Sequence, residues 1–261
     1  MPFMPSLVQE DQLGFDVGFK KPGVPILLQF KLGQSLRRFV RKDKGYLAPI
    51  LESPFFRFSI DTAEPDGQFE TLLKAEQDGA ETYYVAPRFA DWPQYASFFE
   101  AGAVLENSIS VTPSTIRNAL DARESPDGVH RIVYDTTSIH VCSEPTQVSD
   151  TRPSSLAENV RTRLAEDPGD LSQIVHRIYE GFDHRALIRR PKLEESAQGA
   201  FVFSIHSSMA ERTPEAQRKI ERSQRLEQLR ARARTEDDAF GAALGLELWA
   251  LGIQLLFATG D

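Results

Sequence analysis

The run Val24-Pro-Ile-Leu-Leu-Gln-Phe-Lys31 constrains this chain more than any other segment. It is dense in branched apolar side chains, follows a turn at Lys20-Lys21-Pro22-Gly23 and ends in polar groups. A continuous apolar run of this length reads as a strand buried on both faces, near the centre of a sheet. Gln29 and Lys31 are two residues apart, so they project from one face of that strand. A carboxamide and an ammonium thus stand together where a buried strand reaches the surface.

The residues before this strand suggest what the pair can do. Ser6-Leu-Val-Gln9 reads as a capping-box-like helix start leading into Glu10. After Gly14, Phe15-Asp16-Val17-Gly18-Phe19 alternates with period two, as a strand does. If the two runs are adjacent antiparallel strands, Asp16 and Gln29 meet at one edge of the sheet. Asp16 and the Gln29 carbonyl oxygen are hard oxygen ligands of the kind Mg²⁺ takes. The metal lowers the pKa of a bound water and polarises a scissile phosphate. Lys31 can orient that water or neutralise charge developing in the transition state. Glu10 offers a third oxygen, directly or through water, with Asp11 as the alternative.

A basic stretch surrounds these residues, and its part from Gln34 to Lys44 reads as a loop or short helix. Between Val17 and Lys44 the chain carries Lys20, Lys21, Lys31, Arg37, Arg38, Arg41, Lys42 and Lys44 against Asp43 alone. The net charge of −8 argues against indiscriminate coating of nucleic acid. It leaves room for one local phosphate-binding face, because fields at contact range are local. Arg88, after the Tyr83-Tyr84 strand, is another candidate phosphate contact; a salt bridge with Glu81 or Asp91 is the competing role. Tyr83, Tyr84 and Phe89 read as core.

Asp16 followed a short hairpin later by Gln29-Phe30-Lys31 resembles the PD-(D/E)xK nuclease superfamily in its Gln-x-Lys variant. The resemblance spans residues 5–145. It implies a mixed central sheet of the restriction-endonuclease-like type flanked by helices, an α/β (α+β) fold, with the strand of residues 82–88 as the next core strand. It implies Asp16, Gln29, Lys31 and Glu10 as catalytic residues, and Asp16, Gln29 and Glu10 as ligands of Mg²⁺, with Mn²⁺ as a substitute. Lys20, Lys21, Arg37, Arg38, Arg41 and Arg88 would contact nucleic acid, DNA in preference to RNA. The activity implied is a Mg²⁺-dependent nuclease, by analogy a subunit of a bacterial (phage) defence system. Three departures stand out: a short first helix, Phe15 where the family has proline, and a neutral Gln29 that weakens one ligand. The last keeps open a catalytically inactive subunit of the same fold, binding nucleic acid or acting as a scaffold.

Elsewhere the pattern predicts strands over Phe55–Ile60, Thr82–Ala86, Val129–Tyr134 and Ser138–Cys142, with helices over Gln68–Gln77 and from Trp92 to Gly102. Residues 149–155, rich in Ser, Pro, Asp and Thr, read as a linker between a core of residues 1–148 and a mainly helical region of residues 156–261. That region carries helices at Leu156–Ala165, Leu171–Phe182 and Pro214–Asp238, and a short strand-like run at Ala200–Ile205. The apolar stretch Phe240–Ala258 suggests a helix that is buried or docks a protein partner or second copy, rather than a membrane span, because it contains Glu247 and Gln254 and lacks basic anchors. A purely assembling protein, joined through Pro214–Ala258, is a third reading. One cysteine, Cys142, excludes an internal disulfide framework and reads as structural. His130 and His140 sit on neighbouring strands without a third ligand, which points away from a metal site. No secretory signal is evident at the start, so a cytoplasmic location is expected.

Overall fold

The computed structural model describes residues 22–39, 48–64, 67–142, 145–151, 153–166, 168–185 and 214–259. It is a mixed α/β protein with two sheets. The first sheet has the order β5-β4-β1-β9. Its strands are β1 (Gly23–Phe30), β4 (Glu81–Pro87), β5 (Ser108–Val111) and β9 (Ile253–Thr259). The second, antiparallel throughout, has the order β2-β3-β6-β7-β8. It comprises β2 (Gln34–Leu36), β3 (Phe55–Asp61), β6 (Val129–Tyr134), β7 (Ile139–Cys142) and β8 (Pro145–Val148). The helices are α1 (Gln68–Gln77), α2 (Trp92–Glu100), α3 (Pro113–Asp121), α4 (Pro153–Glu166), α5 (Leu171–Arg185), α6 (Pro214–Arg230) and α7 (Glu236–Ala250).

The strand that the apolar run predicts is β1, and it lies inside its sheet. Leu27 faces the main core, while Leu28 packs with Tyr83 and Val85 on the other face, where Leu156 of α4 covers them. Covering both faces explains why β1 shows no polar alternation. From β1 the chain passes through β2, β3 and α1 before β4, which lies parallel to β1 with Gln29 opposite Tyr84. The expected strand after the Gln68–Gln77 helix therefore takes its place beside β1. Gly79, at φ +103°, ends α1 in a conformation that favours glycine.

The antiparallel partner of β1 is β9, with Gln29 opposite Ile253. With β4 on one side and β9 on the other, both hydrogen-bonding edges of β1 at Gln29 are filled; the run Phe15–Phe19, expected as its antiparallel neighbour, lies outside the described residues. Two expectations need correction. The stretch Phe240–Ala258 is not one helix. α7 ends at Ala250, the chain reverses at Gly252 (φ +74°), and β9 begins. The basic stretch opens with β2 rather than with a loop or helix, because Gln34–Leu36 pairs with Phe55–Arg57.

The C-terminal half is not a separate layer. One buried cluster joins Leu27, Phe69 and Tyr84 to Ile178 of α5, Leu244 of α7 and Ile253 of β9. The expected Pro214–Asp238 helix divides into α6 and α7 at a capping box between Thr235 and Asp238. Leu244 is fully buried. Leu244→Ala should lower stability by about 2–5 kcal/mol in urea denaturation followed on the whole chain. The expected helix from Ser6 and strand-like run Ala200–Ile205 lie outside the described residues. Among the described residues no helix is long and apolar enough to cross a membrane.

The β6–β7 turn depends on one buried carboxylate. Asp135, 1% exposed, accepts hydrogen bonds from the backbone N–H groups of Glu52, Thr137 and Ser138 at 2.7–2.8 Å. The hydroxyls of Thr137 and Ser138 add two more at 3.1 Å. Burial pushes this carboxyl up, but the hydrogen bonds outweigh it and hold Asp135 below its ordinary value. A group depressed in the folded state stabilises it above the unfolded pKa, and that contribution is lost as pH falls through the folded pKa. Asp135→Ala should cost about 1.5–3 kcal/mol near neutrality. Compared by urea unfolding at neutral and acidic pH, the gap between the variant and wild type should narrow in acid.

Candidate functional site

β1 ends in a buried amide and a half-buried ammonium. Gln29 is 5% exposed; its Nε2 donates to the Phe30 carbonyl at 3.1 Å, and its Oε1 is buried without a hydrogen-bond partner. A buried acceptor left unpaired costs about 1–3 kcal/mol, and a cation or a donor would satisfy it. Lys31 follows the last strand residue and is fastened by its backbone N–H to Val85 O at 2.8 Å. Its Nζ lies 5.7 Å from the centre of the Tyr84 ring and donates to Gln68 Oε1 at 2.6 Å. Burial lowers the pKa of this ammonium.

Gln68, the first residue of α1, aligns Lys31. Its Nε2 donates to the carbonyl of Leu251, so its Oε1 is left facing the lysine. Gly252 comes next, and a Cβ placed there would lie 3.6 Å from Nε2 of both Gln29 and Gln68. The two glutamines therefore flank one point on the α7–β9 turn. Neither Gln68 nor the Leu251 carbonyl stands out in the sequence, since a glutamine opening a helix has no motif and a backbone carbonyl has no side chain to read. Gly252→Ala adds no clash, but φ +74° strains any side chain. A loss of about 1–2 kcal/mol is expected in thermal unfolding.

A pocket of about 220 Å³ opens beside Lys31, lined also by Asp61, Glu64, Gln68, Tyr84 and Val129. Asp61 and Glu64 are exposed carboxylates on the segment leading into α1. The sequence offers no spacing that would single them out.

The other sequence candidates distribute as follows. Arg37 and Arg38 are exposed just past β2, on the chain that leaves Lys31. Glu10, Asp16, Lys20, Lys21 and Arg41 lie outside the described residues, as does Asp11. Arg88 is turned inward: Nε donates to Asp135 O at 3.0 Å, Nη1 to Ser108 O at 3.2 Å and Nη2 to Asp150 at 2.6 Å. Its partner is Asp150, not Glu81 or Asp91, and its donors are spent on internal contacts rather than presented to phosphate. Tyr83, Tyr84 and Phe89 are buried, as expected of core. His130 and His140 do not face each other, because His130 stands opposite Ile60 and His140 opposite Val133. Cys142 is buried in a small cluster with Phe55 and Val133. Among the described residues no three His, Cys, Asp or Glu side chains gather as a metal site.

What the arrangement offers chemically is an aligned ammonium and two exposed carboxylates lining one pocket, with a buried, unpaired neutral oxygen two residues before the lysine. Compared with protein-family models, curated proteins and solved structures, the chain matches none.

Proposed function

We propose that the end of β1 is the catalytic site of a Mg²⁺-dependent nuclease of the restriction-endonuclease-like type, cutting DNA in preference to RNA. The observations that carry this reading are the ammonium of Lys31, aligned by Gln68, and, two residues earlier in the chain, the buried and unpartnered Oε1 of Gln29. Gln29 suits one position in the oxygen shell of a magnesium ion. The donor set needs carboxylates as well, and Asp16 and Glu10 are the residues assigned to supply them. When bound, the metal supplies a water of lowered pKa and a polarised phosphate. Lys31 donates to the non-bridging phosphate oxygens or to the attacking water, and Gln68 keeps its ammonium from swinging into solvent. Arg37 and Arg38, with Lys20, Lys21 and Arg41, would hold the flanking phosphates. A place in bacterial defence rests on analogy alone.

Binding of Mn²⁺, followed by electron paramagnetic resonance, tests the ligand assignment apart from turnover. Binding that weakens in Gln29→Leu and Asp16→Ala, and not in Lys31→Met, is the expected pattern. Equal binding in all three variants would remove Gln29 and Asp16 from the shell.

The neutral Gln29 favours a second reading, a non-catalytic nucleic-acid-binding subunit of the same fold. Reversing the charge of Arg37, Arg38 and Arg41 separates the two. Lost DNA affinity and a shallower salt dependence, in a protein that never cuts, would support binding without chemistry. Affinity unchanged by the reversal would remove the basic stretch as the phosphate surface.

A further inference from the structure

Helix α2 has no buried residue, yet it is largely aromatic. Asp91 caps it by accepting from Gln94 N at 2.8 Å, and Gly102 (φ +66°) turns the chain just beyond it. Trp92, Tyr95 and Phe99 recur at helical spacing and so share one stripe. Their rings are in contact, with centroids 5.1 Å apart for Trp92–Tyr95 and 5.8 Å for Tyr95–Phe99. Beneath them Phe89, 8% exposed, meets Phe98 at 5.2 Å and Tyr95 at 6.2 Å. The outer rings are open to water: Trp92 is 74% exposed and Phe99 60%, with Leu105 at 47% close by in sequence. The helix is anchored through Phe89 and shows the rest of its aromatic surface to solvent.

Charge decides what that surface can receive. From Ala90 to Ile116 the chain carries no Lys, Arg or His, and its charged residues are Asp91, Glu100 and Glu106, all exposed. Aromatic rings in a row can stack on nucleobases, but such platforms work beside cations that hold the phosphates. Here the rim is anionic, the opposite of the Lys31–Arg38 stretch. A second copy would bring acidic rim against acidic rim. The complement is a surface with large apolar side chains flanked by lysine or arginine, whose cations meet both the carboxylates and the ring faces.

We propose that the Trp92–Tyr95–Phe99 face of α2 is a docking surface for a protein partner that presents an amphipathic, basic helix. The surface is independent of the nuclease reading, since it shares no residue with the end of β1.

The test uses the full chain carrying Trp249→Phe, so that Trp92 is its sole tryptophan. The probes are a leucine/lysine amphipathic peptide of about 18 residues, roughly 27 Å when helical, a leucine/glutamate peptide of the same pattern, and oligo-dT. The leucine/lysine peptide should blue-shift Trp92 emission saturably, while the other two leave it unchanged. Phe99→Ala, and separately Glu100→Lys with Glu106→Lys, should each weaken binding about tenfold or more. Binding that is absent, or indifferent to both variants, overturns the proposal. A shift with oligo-dT would reassign the face to single-stranded nucleic acid. Self-association abolished by Phe99→Ala would reassign it to a second copy.

Discussion

A chain ending at Val148 should fail to fold cooperatively. The composition of residues 149–155 suggests a boundary there, and a core ending before it would survive truncation. The packing predicts otherwise. Truncation removes β9, which pairs with β1 along its whole length, and so turns a central strand into an apolar edge. It also removes Leu171, Ile174, Val175 and Ile178 of α5 and Leu244 and Leu248 of α7, all from the cluster that holds Leu27, Phe69 and Tyr84. Burying a large aliphatic side chain contributes about 1.5–3 kcal/mol, so these six losses, about 9–18 kcal/mol together, are as large as the roughly 5–15 kcal/mol by which domains are stable. Circular dichroism of the truncated chain should give a broad, non-cooperative thermal profile. A sharp transition would mean that residues 1–148 form a core of their own.

The second large effect is chemical. If the end of β1 is the nuclease site proposed above, Lys31→Ala should lower the single-turnover rate of DNA cleavage by about 10²–10³-fold, the scale set by removing one preorganised donor to transition-state charge. Gln68→Ala leaves the ammonium in place but frees it, so a loss of about 10–100-fold is expected, as for residues that orient a catalytic group. Substrate affinity should change little in either variant, because Arg37, Arg38 and the rest of the basic stretch remain. A fall in affinity that accounts for the whole effect would make Lys31 a phosphate contact and not a catalytic group. The lowered pKa of Lys31 gives a further signature. Wild-type activity should decline on the alkaline side at a lower pH than an exposed lysine would give, because the ammonium is the acting form.

The legible parts of this chain are those where local pattern and tertiary role agree. β1 could be read because both of its faces are buried, and α1 because Gly67 and Asp78-Gly79 bracket it. The pairing of β6 with β7 followed from two alternating runs across Asp135-Thr136-Thr137. β9 was not legible. An apolar run containing glycines fits a buried helix or a buried strand equally well by periodicity, and only its pairing with β1, at the far end of the chain, decides between them. α3 has a readable start in Thr112 and Pro113, with the Thr112 side chain accepting from Thr115 N at 3.2 Å. At the proposed site, the spacing of Gln29 and Lys31 is legible in the sequence. Gln68 and the Leu251 carbonyl are not, because what they do depends on the α7–β9 turn meeting the start of α1. The inward role of Arg88 is hidden in the sequence for a similar reason: its carboxylate partner, Asp150, is distant in sequence and becomes a neighbour only when the chain folds.

The most direct measurement is cleavage of plasmid and single-stranded DNA by the wild-type chain with Mg²⁺ or Mn²⁺, with chelator as control, beside Asp16→Ala and Lys31→Ala. Metal-dependent cutting by the wild type, lost in both variants, is the predicted result. Cutting that survives both substitutions, or that continues in chelator, would contradict the assignment of the catalytic site to the end of β1.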